Sequence, residues 1–214
     1  MHVATTVNFL ARRAKLAQIG RILSLMKKAL LFIVISGICA VAQEPQVPRK
    51  ATDLAIQTAP DQYIWLSQYS GKTRVVAFIL TGCTHCQFTT GVLNHLQKDY
   101  ANRNVQILAT AIEPMSSLHI PDFQKTFAPA FPVGYNDQTY VAKFLGRGPN
   151  DPMMMPQLAF VDRNGIIQAQ YAGDDPALSK DIQEKSLRDA LEKTIKAGQT
   201  TLRSSAPNKA APKQ

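Results

Sequence analysis

Acidic residues are missing from the first part of the chain. Positions 1–42 contain no Asp or Glu but six of the 24 Lys and Arg residues. The remaining positions carry 18 basic and 15 acidic residues, so the formal charge of +9 falls to +3 there. A domain that binds nucleic acid keeps a basic surface in its folded part, and this composition predicts none. The excess charge therefore indicates targeting, and the 214 residues are enough for one domain with a substantial core.

The N-terminal hydrophobic stretch is too short to cross a bilayer. Ala29–Ala42 is 14 residues long, whereas a transmembrane helix needs roughly 20. Two lysines precede the stretch and an Ala-Val-Ala site ends it, which predicts a secretory signal peptide at 26–42. We therefore expect a periplasmic or otherwise extracytoplasmic protein, at a membrane only if the signal is uncleaved. We interpret 1–25 as a non-native or disordered extension ahead of a true start at Met26.

Cysteine is also scarce. Cys39 lies in the predicted signal peptide, so its removal would leave Cys83 and Cys86 without a third cysteine for an internal relay. The pair is then expected to exchange with partner proteins or small thiols. A zinc site would need two further Cys or His ligands at motif spacing, and covalent haem would need His where Gln87 stands. The sequence thus predicts no metal and no cofactor.

The two remaining cysteines stand between a predicted strand and a predicted helix. Val75–Leu80 is an unbroken apolar run, typical of a strand buried on both faces. After Cys83-Thr84-His85-Cys86, apolar residues recur at helical spacing as far as Tyr100. Unpaired amides and the helix dipole stabilise a thiolate at a helix N-terminus. We therefore expect Cys83 to be the exposed attacking sulfur and Cys86, about one turn further on, the more buried resolving sulfur.

This strand–CxxC–helix segment resembles the active site of the thioredoxin superfamily. With the predicted export signal, the chain most resembles the TlpA/ResA-like extracytoplasmic thiol–disulfide oxidoreductases of bacteria. The resemblance implies an α/β, thioredoxin-like fold with a central mixed β-sheet flanked by helices and an N-terminal β-hairpin extension. It also implies a thiol–disulfide oxidoreductase, with the reductant role favoured, that acts on cysteine-containing proteins of the extracytoplasmic space. Cytochrome c maturation is such a role, and a membrane electron donor is a further candidate partner.

The resemblance also assigns residues around the cysteines. Met155-Pro156 precedes a predicted strand, and in this superfamily a cis-proline faces the CxxC while the backbone before it pairs with the substrate chain. Met155 and Pro156 are therefore predicted to bind the partner. Thr84 and His85 are predicted to tune the reduction potential, because a hydrogen-bonding or cationic imidazole near the attacking sulfur would stabilise the thiolate and make the disulfide more oxidising.

The sequence departs from the superfamily pattern at two positions. Ala77 stands six residues before Cys83, where thioredoxins carry a buried Asp that shuttles protons, and Gly82 stands where the family usually has Trp. Glu113, after the second predicted strand, is one candidate for the missing acid.

A binding function remains open beside the redox function. Met153-Met154-Met155 and the two thiols are soft ligands that would suit Cu(I). The alternative is therefore a Cu(I)-binding and delivery protein like the SCO proteins, which share the fold. Those proteins use C-x-x-x-C and a distant His, so the spacing here is one residue short.

The remaining segments follow from periodicity and turn residues. We expect a linker at 43–52, one domain at 53–197 and a disordered tail at 198–214. Within the domain we expect strands at 53–58, 62–66 and 105–112 and a hairpin that turns at Asn164-Gly165. We expect helices at 121–127, 138–145 and 179–196, the last of which ends at Gly198.

Overall fold

The structure is a computed structural model and describes residues 46–205. A single mixed β-sheet forms the centre of this part of the chain. Its strands are β1 (Arg49–Lys50), β2 (Ala55–Ala59), β3 (Gln62–Trp65), β4 (Thr73–Ile79), β5 (Val105–Ala111), β6 (Val133–Tyr135), β7 (Gln157–Val161) and β8 (Ile166–Tyr171). The helices are α1 (Thr84–Tyr100), α2 (Ser116–Phe127), α3 (Gln138–Leu145) and α4 (Gln183–Ser205). The spatial order is β1-β8-β7-β4-β5-β6-β2-β3. The predicted mixed sheet with flanking helices is confirmed.

The central strand is β4, and each of its residues is buried. It pairs in parallel with β5, from Thr73 opposite Val105 to Ile79 opposite Ala111. Because α1 lies between these strands in the chain, they form the predicted βαβ unit. On its other side β4 pairs antiparallel with β7. The predicted hairpin then joins β7 to β8, with Gly165 at φ +83° in the turn.

The two faces of β4 contribute to two separate hydrophobic clusters. Val75, Ala77 and Ile79 pack on one face with buried residues of α1, α2 and α4, and Cys86 belongs to this cluster. Val76 and Phe78 pack on the opposite face with buried residues of α3 and β2. Successive side chains of a strand point to opposite faces, so an unbroken apolar run is what a sheet covered on both sides requires.

The predicted N-terminal hairpin is present at one edge of the sheet. β2 pairs antiparallel with β3 and also with β6, where Gln57 lies opposite Tyr135. At the other edge β1 pairs with β8, where Arg49 lies opposite Ile167. Two residues of the predicted linker at 43–52 therefore belong to the sheet.

Helix α2 begins five residues before its predicted start at Pro121. Proline is favoured in the first turn of a helix because it lacks an N–H, which led to the prediction. Here Met115 adopts the left-handed conformation with φ 56°, and the helix starts at Ser116. Pro121 therefore lies inside the helix, where it cannot donate to the carbonyl of Ser117.

The last helix also differs from its prediction. α4 begins at Gln183 instead of position 179 and continues past Gly198 to Ser205. A Cβ atom on Gly198 would lie 2.9 Å from Cγ of Arg163. Gly198 thus allows α4 to pack closely on the β7–β8 turn and does not end the helix.

Several predictions fall on residues that the structure does not describe. The extension at 1–25, the signal peptide at 26–42 and the tail beyond position 205 lie outside the described residues. Between residues 46 and 205, no helix has the length and apolar character needed to cross a membrane.

Candidate active site

The two cysteines lie at the junction of β4 and α1, as predicted. Cys83 is the N-cap residue of α1, in an extended conformation, and its Sγ accepts a hydrogen bond from the amide of Cys86 at 3.3 Å. Both are free thiols, Cys83 being half-buried and Cys86 fully buried. The half-buried sulfur can meet a partner, whereas the buried one can reach only its neighbour.

The surroundings of Cys86 keep its thiol protonated. Burial raises the pKa of Cys86, and the neighbouring Cys83 and the negative charge of Glu113 raise it further. The amide of Leu80 donates to the Cys86 Sγ at 3.5 Å, which opposes this rise. Because only a thiolate attacks a disulfide, Cys86 needs a group that takes its proton when it reacts.

These unequal environments predict unequal alkylation. At pH 8, iodoacetamide should modify Cys86 at least about a hundredfold more slowly than Cys83, because Cys86 is buried and its pKa is raised. The rates can be measured by mass spectrometry on the single variants Cys86→Ser and Cys83→Ser, each of which leaves one thiol at the site. The difference should narrow as the pH rises and should vanish in denaturant; equal rates in the native protein would contradict it.

Thr84 and His85 occupy the first turn of α1. Thr84 is exposed, and the half-buried imidazole of His85 lies with its Nε2 2.9 Å from the carbonyl oxygen of Leu178. A carbonyl can only accept, so Nε2 carries the proton and donates. This contact with the 3₁₀ turn Pro176–Leu178 has no signal in the sequence. It fixes the imidazole in the first turn of α1 and leaves Nδ1 as its other polar atom.

Met155 and Pro156 lie immediately before β7, and their peptide bond is cis. Pro156 is buried, Met155 is half-buried and Met154 is 56% exposed. Met155 packs against the same hydrophobic cluster as Cys83. The structure therefore brings Met155, of the predicted binding pair, and Cys83 to one cluster.

Gly173 packs closely against the backbone of Met154 and Met155. The amide of Gly173 donates to the carbonyl of Met154 at 2.8 Å, and the same carbonyl accepts from Nε2 of Gln157 at 2.7 Å. A Cβ atom on Gly173 would lie 2.2 Å from the carbonyl oxygen of Met155. Any residue larger than glycine at position 173 would displace the Met154–Met155 backbone. The sequence pattern gave no sign of this requirement.

Glu113 lies on the Cys86 side of the site. It follows β5, and its Oε1 accepts hydrogen bonds from the amide of Thr81 at 2.9 Å and from the Thr81 hydroxyl. Its Oε2 is buried and has no hydrogen-bond partner among the described residues. The sequence marked Glu113 only as one candidate acid, and the structure places it beside the CxxC loop.

The acidic, imidazole and thiol side chains of the described residues are not grouped as metal ligands. Within residues 46–205, no group of three or more His, Cys, Asp or Glu side chains is placed to hold a metal ion. Cys83 and Cys86 form a pair, not a cluster.

Comparisons with known proteins agree with the fold. The model of the Redoxin family matches residues 46–191, which is more than half of the chain. The chain belongs to the Redoxin family. It is similar to the thiol-disulfide oxidoreductase ResA of Bacillus thuringiensis, with 22% identity over 72% of this chain and 85% of the relative. The ResA protein of Oceanobacillus iheyensis is 24% identical over 78% of this chain and 85% of the relative.

Solved structures give the same fold for this Redoxin-family protein. A thiol:disulfide interchange protein of the thioredoxin family from Chlorobium tepidum superimposes with a TM-score of 0.55 at 20% identity, over 69% of this chain and 99% of the other. The protein is thus a ResA/TlpA-like member of the thioredoxin superfamily and a thiol–disulfide oxidoreductase.

Proposed function

We propose that this Redoxin-family protein uses Cys83 and Cys86 to reduce disulfides in exported proteins. The observation that carries the proposal is the unequal burial of two free thiols at a strand–helix junction. Cys83 attacks a partner disulfide and forms a mixed disulfide with one of its sulfurs. Cys86 then attacks Cys83, which releases the reduced partner and closes the Cys83–Cys86 disulfide.

We further propose that the partner's chain binds along Met155 and Pro156, with Thr84 and His85 adjusting the potential. Met154 and Met155 offer flexible apolar surface that can adapt to different partner chains. The contact of His85 Nε2 with the Leu178 carbonyl holds the imidazole beside the first turn of α1. A hydrogen bond from this imidazole to the Cys83 thiolate would favour the reduced pair and raise the potential, so the low potential of a reductant requires that Nε2 stays on the Leu178 carbonyl.

The extracytoplasmic location and the reductant role are parts of the same proposal. The predicted signal peptide at 26–42 supports export, and the relatives of this chain bear the name of the thiol-disulfide oxidoreductase ResA. A reductant in an oxidising compartment must itself be re-reduced, so an electron donor is required, and the candidate is a membrane protein. Cysteine pairs of exported proteins, as in cytochrome c maturation, are the proposed substrates.

The reduction potential of the Cys83–Cys86 pair tests this direction of electron flow. We expect a value near or below about −270 mV, in the range of thioredoxin, because a reductant must have a low potential. The purified protein lacking residues 1–42 is equilibrated in glutathione or dithiothreitol buffers of known potential. The fraction of protein that contains the Cys83–Cys86 disulfide is then determined.

Other outcomes of this titration have distinct meanings. A potential near about −120 mV would identify a disulfide donor and contradict the reductant role. A pair without a reversible couple would contradict the redox function itself. The relatives bear the name of a thiol-disulfide oxidoreductase, so we propose dithiol exchange and not Cu(I) delivery.

A further inference from the structure

Adjacent backbone amides bring the resolving thiol and a carboxylate to the same loop. After β4, the amide of Leu80 donates to the Sγ of Cys86, and the next amide, that of Thr81, donates to Oε1 of Glu113. The sulfur and the carboxylate are therefore held by consecutive residues. The Glu113 charge acts on the thiol, since it is one of the causes that raise the pKa of Cys86.

The two carboxylate oxygens of Glu113 differ in their hydrogen bonding. Thr81 donates twice to Oε1, through its amide and its hydroxyl. Oε2 is buried and has no hydrogen-bond partner among residues 46–205. A buried acceptor without a donor is costly, so a function that brings a proton to Oε2 would relieve that cost.

The strand position that faces Cys86 from the sheet offers no acid. Ala77 is fully buried and belongs to the same cluster as Cys86. The titratable groups that act on the thiol are Cys83, on its own helix, and Glu113, beyond β5. The nearby His85 directs Nε2 to the Leu178 carbonyl. Glu113 is thus the carboxylate available to this thiol.

Glu113 is also one of the residues that line an open cavity of about 700 Å³. The cavity lies where β5 and β6 end and where α2 and α3 begin, and its walls are largely polar: Ser116, Ser117, Asn136, Asp137 and Gln138 line it together with Glu113. A cavity of this size and polarity admits water. Glu113 therefore acts on the buried thiol through its charge and also belongs to the wall of a cavity that water can enter.

We propose that Glu113 accepts the proton of the Cys86 thiol during the resolving step and passes it to water in this cavity. The inference rests on the proposed dithiol chemistry. In the mixed disulfide, the Cys86 S–H bond breaks and its proton moves to the carboxylate. The sulfur electron pair forms a bond to Cys83 Sγ, and the bond between Cys83 and the partner sulfur breaks. The partner leaves as a thiolate, which solvent protonates, so the dithiol is oxidised and the partner disulfide is reduced.

Removing the charge separates a proton-transfer role from an electrostatic one, because the two predict opposite signs. In Glu113→Gln the amide oxygen can still accept from Thr81, but the side chain cannot take a proton. If Glu113 acted only through its charge, this change would lower the pKa of Cys86 and speed resolution. If Glu113 takes the proton, resolution slows even though the thiol has become more acidic.

The experiment follows the mixed disulfide with glutathione on the full chain. Reduced protein is mixed with oxidised glutathione and quenched with acid at intervals, and mass spectrometry of the peptide containing both cysteines gives the two rates. At pH 7 we expect Glu113→Gln to slow the decay of the mixed disulfide by about a hundredfold, the usual scale of general base catalysis. The deficit should shrink as the pH rises, since hydroxide then removes the proton.

Control variants establish which step has changed. In a Cys86→Ser background, Glu113→Gln should alter formation of the mixed disulfide by less than about twofold, because attack by Cys83 needs no proton acceptor there. Glu113→Asp, which keeps a carboxylate, should recover part of the resolving rate. Glu184→Gln removes a negative charge from the exposed start of α4 and should leave both rates unchanged.

The possible failures are distinguishable. An unchanged or faster resolution in Glu113→Gln would overturn the inference, and so would an equal slowing of both steps, which would indicate a structural role in the Thr81 loop. Thermal unfolding of each variant identifies loss of structure. If Glu113→Gln is unfolded, the pH dependence of the resolving rate is measured on Glu113→Asp instead. If the unaltered protein forms no mixed disulfide, the proposed function itself fails before Glu113 is tested.

Discussion

Replacing Cys83 by serine should abolish disulfide exchange and leave the fold intact. A hydroxyl cannot act as the attacking thiolate, so turnover of a disulfide substrate should fall by more than about a thousandfold, as when other enzymes lose their nucleophile. Serine is a favoured N-cap residue. Its oxygen can accept the hydrogen bond that Cys83 Sγ now accepts from the Cys86 amide, so α1 should keep its start.

Replacing Cys86 by serine should have a different result, because the first step survives. The mixed disulfide between Cys83 and the partner should accumulate, since no second sulfur releases it. Insulin reduction and non-reducing gels measure turnover and trapping. Residual turnover in Cys83→Ser, or the same trapping in both variants, would contradict the assigned order of attack.

Alanine at Gly173 should disrupt partner binding without touching either cysteine. Its Cβ would lie 2.2 Å from the carbonyl oxygen and 2.5 Å from the carbonyl carbon of Met155, so the segment before β7 has to move. Overpacking of this kind should lower the free energy of unfolding by at least about 2 kcal/mol. Because misplaced substrate contacts cost rate, exchange with a protein disulfide should slow by at least about tenfold. Exchange with oxidised glutathione, which needs little of this surface, should change less.

A matched glycine in α1 provides the control for this variant. Gly91 is exposed within the helix, and a Cβ there would meet nothing within 4 Å. Gly91→Ala should therefore raise the free energy of unfolding by about 0.5–1 kcal/mol, since alanine favours the helix, and leave both exchange rates unchanged. Denaturant unfolding and the two exchange assays measure these effects. Equal stability of the two variants, or an unchanged rate with the protein substrate in Gly173→Ala, would exclude the supporting role of Gly173.

The centre of the fold was predictable because its patterns are local. The apolar run of β4, the helical spacing after Cys86 and the Asn164-Gly165 turn each depend on residues within one element. The order of strands depends on contacts between distant segments. Pairing of β2 with β6 and of β1 with β8 joins positions far apart in the chain, and no periodicity encodes it.

Helix ends were predicted less well because glycine and proline have more than one use. Pro121 predicts a helix start, yet it lies inside α2, and the carbonyl of Ser117, to which it cannot donate, belongs to an exposed residue and can be solvated. Gly198 predicts a helix stop, yet it allows close packing against Arg163. In both cases tertiary structure decided which use applied.

The site divides in the same way. The sequence placed both cysteines correctly because strand, CxxC and helix are contiguous. It could not reveal that Gly173 touches the Met155 backbone, or that His85 meets Leu178, since these residues come from other elements. Glu113 could be named as an acid after β5, but its bond to Thr81 required the folded chain.

The short strands at both edges of the sheet have a consequence for solubility. An edge strand exposes unpaired amides and carbonyls to which another chain can add. Here β1 covers β8 with only two residues, both basic, and the Arg49 side chain turns back to the Phe144 carbonyl and to Gln170. The opposite edge, β3, is four residues long and leads at once into a 3₁₀ turn. Among the described residues neither edge offers a long, flat template, so we expect the sheet to resist growth into aggregates when the protein is concentrated.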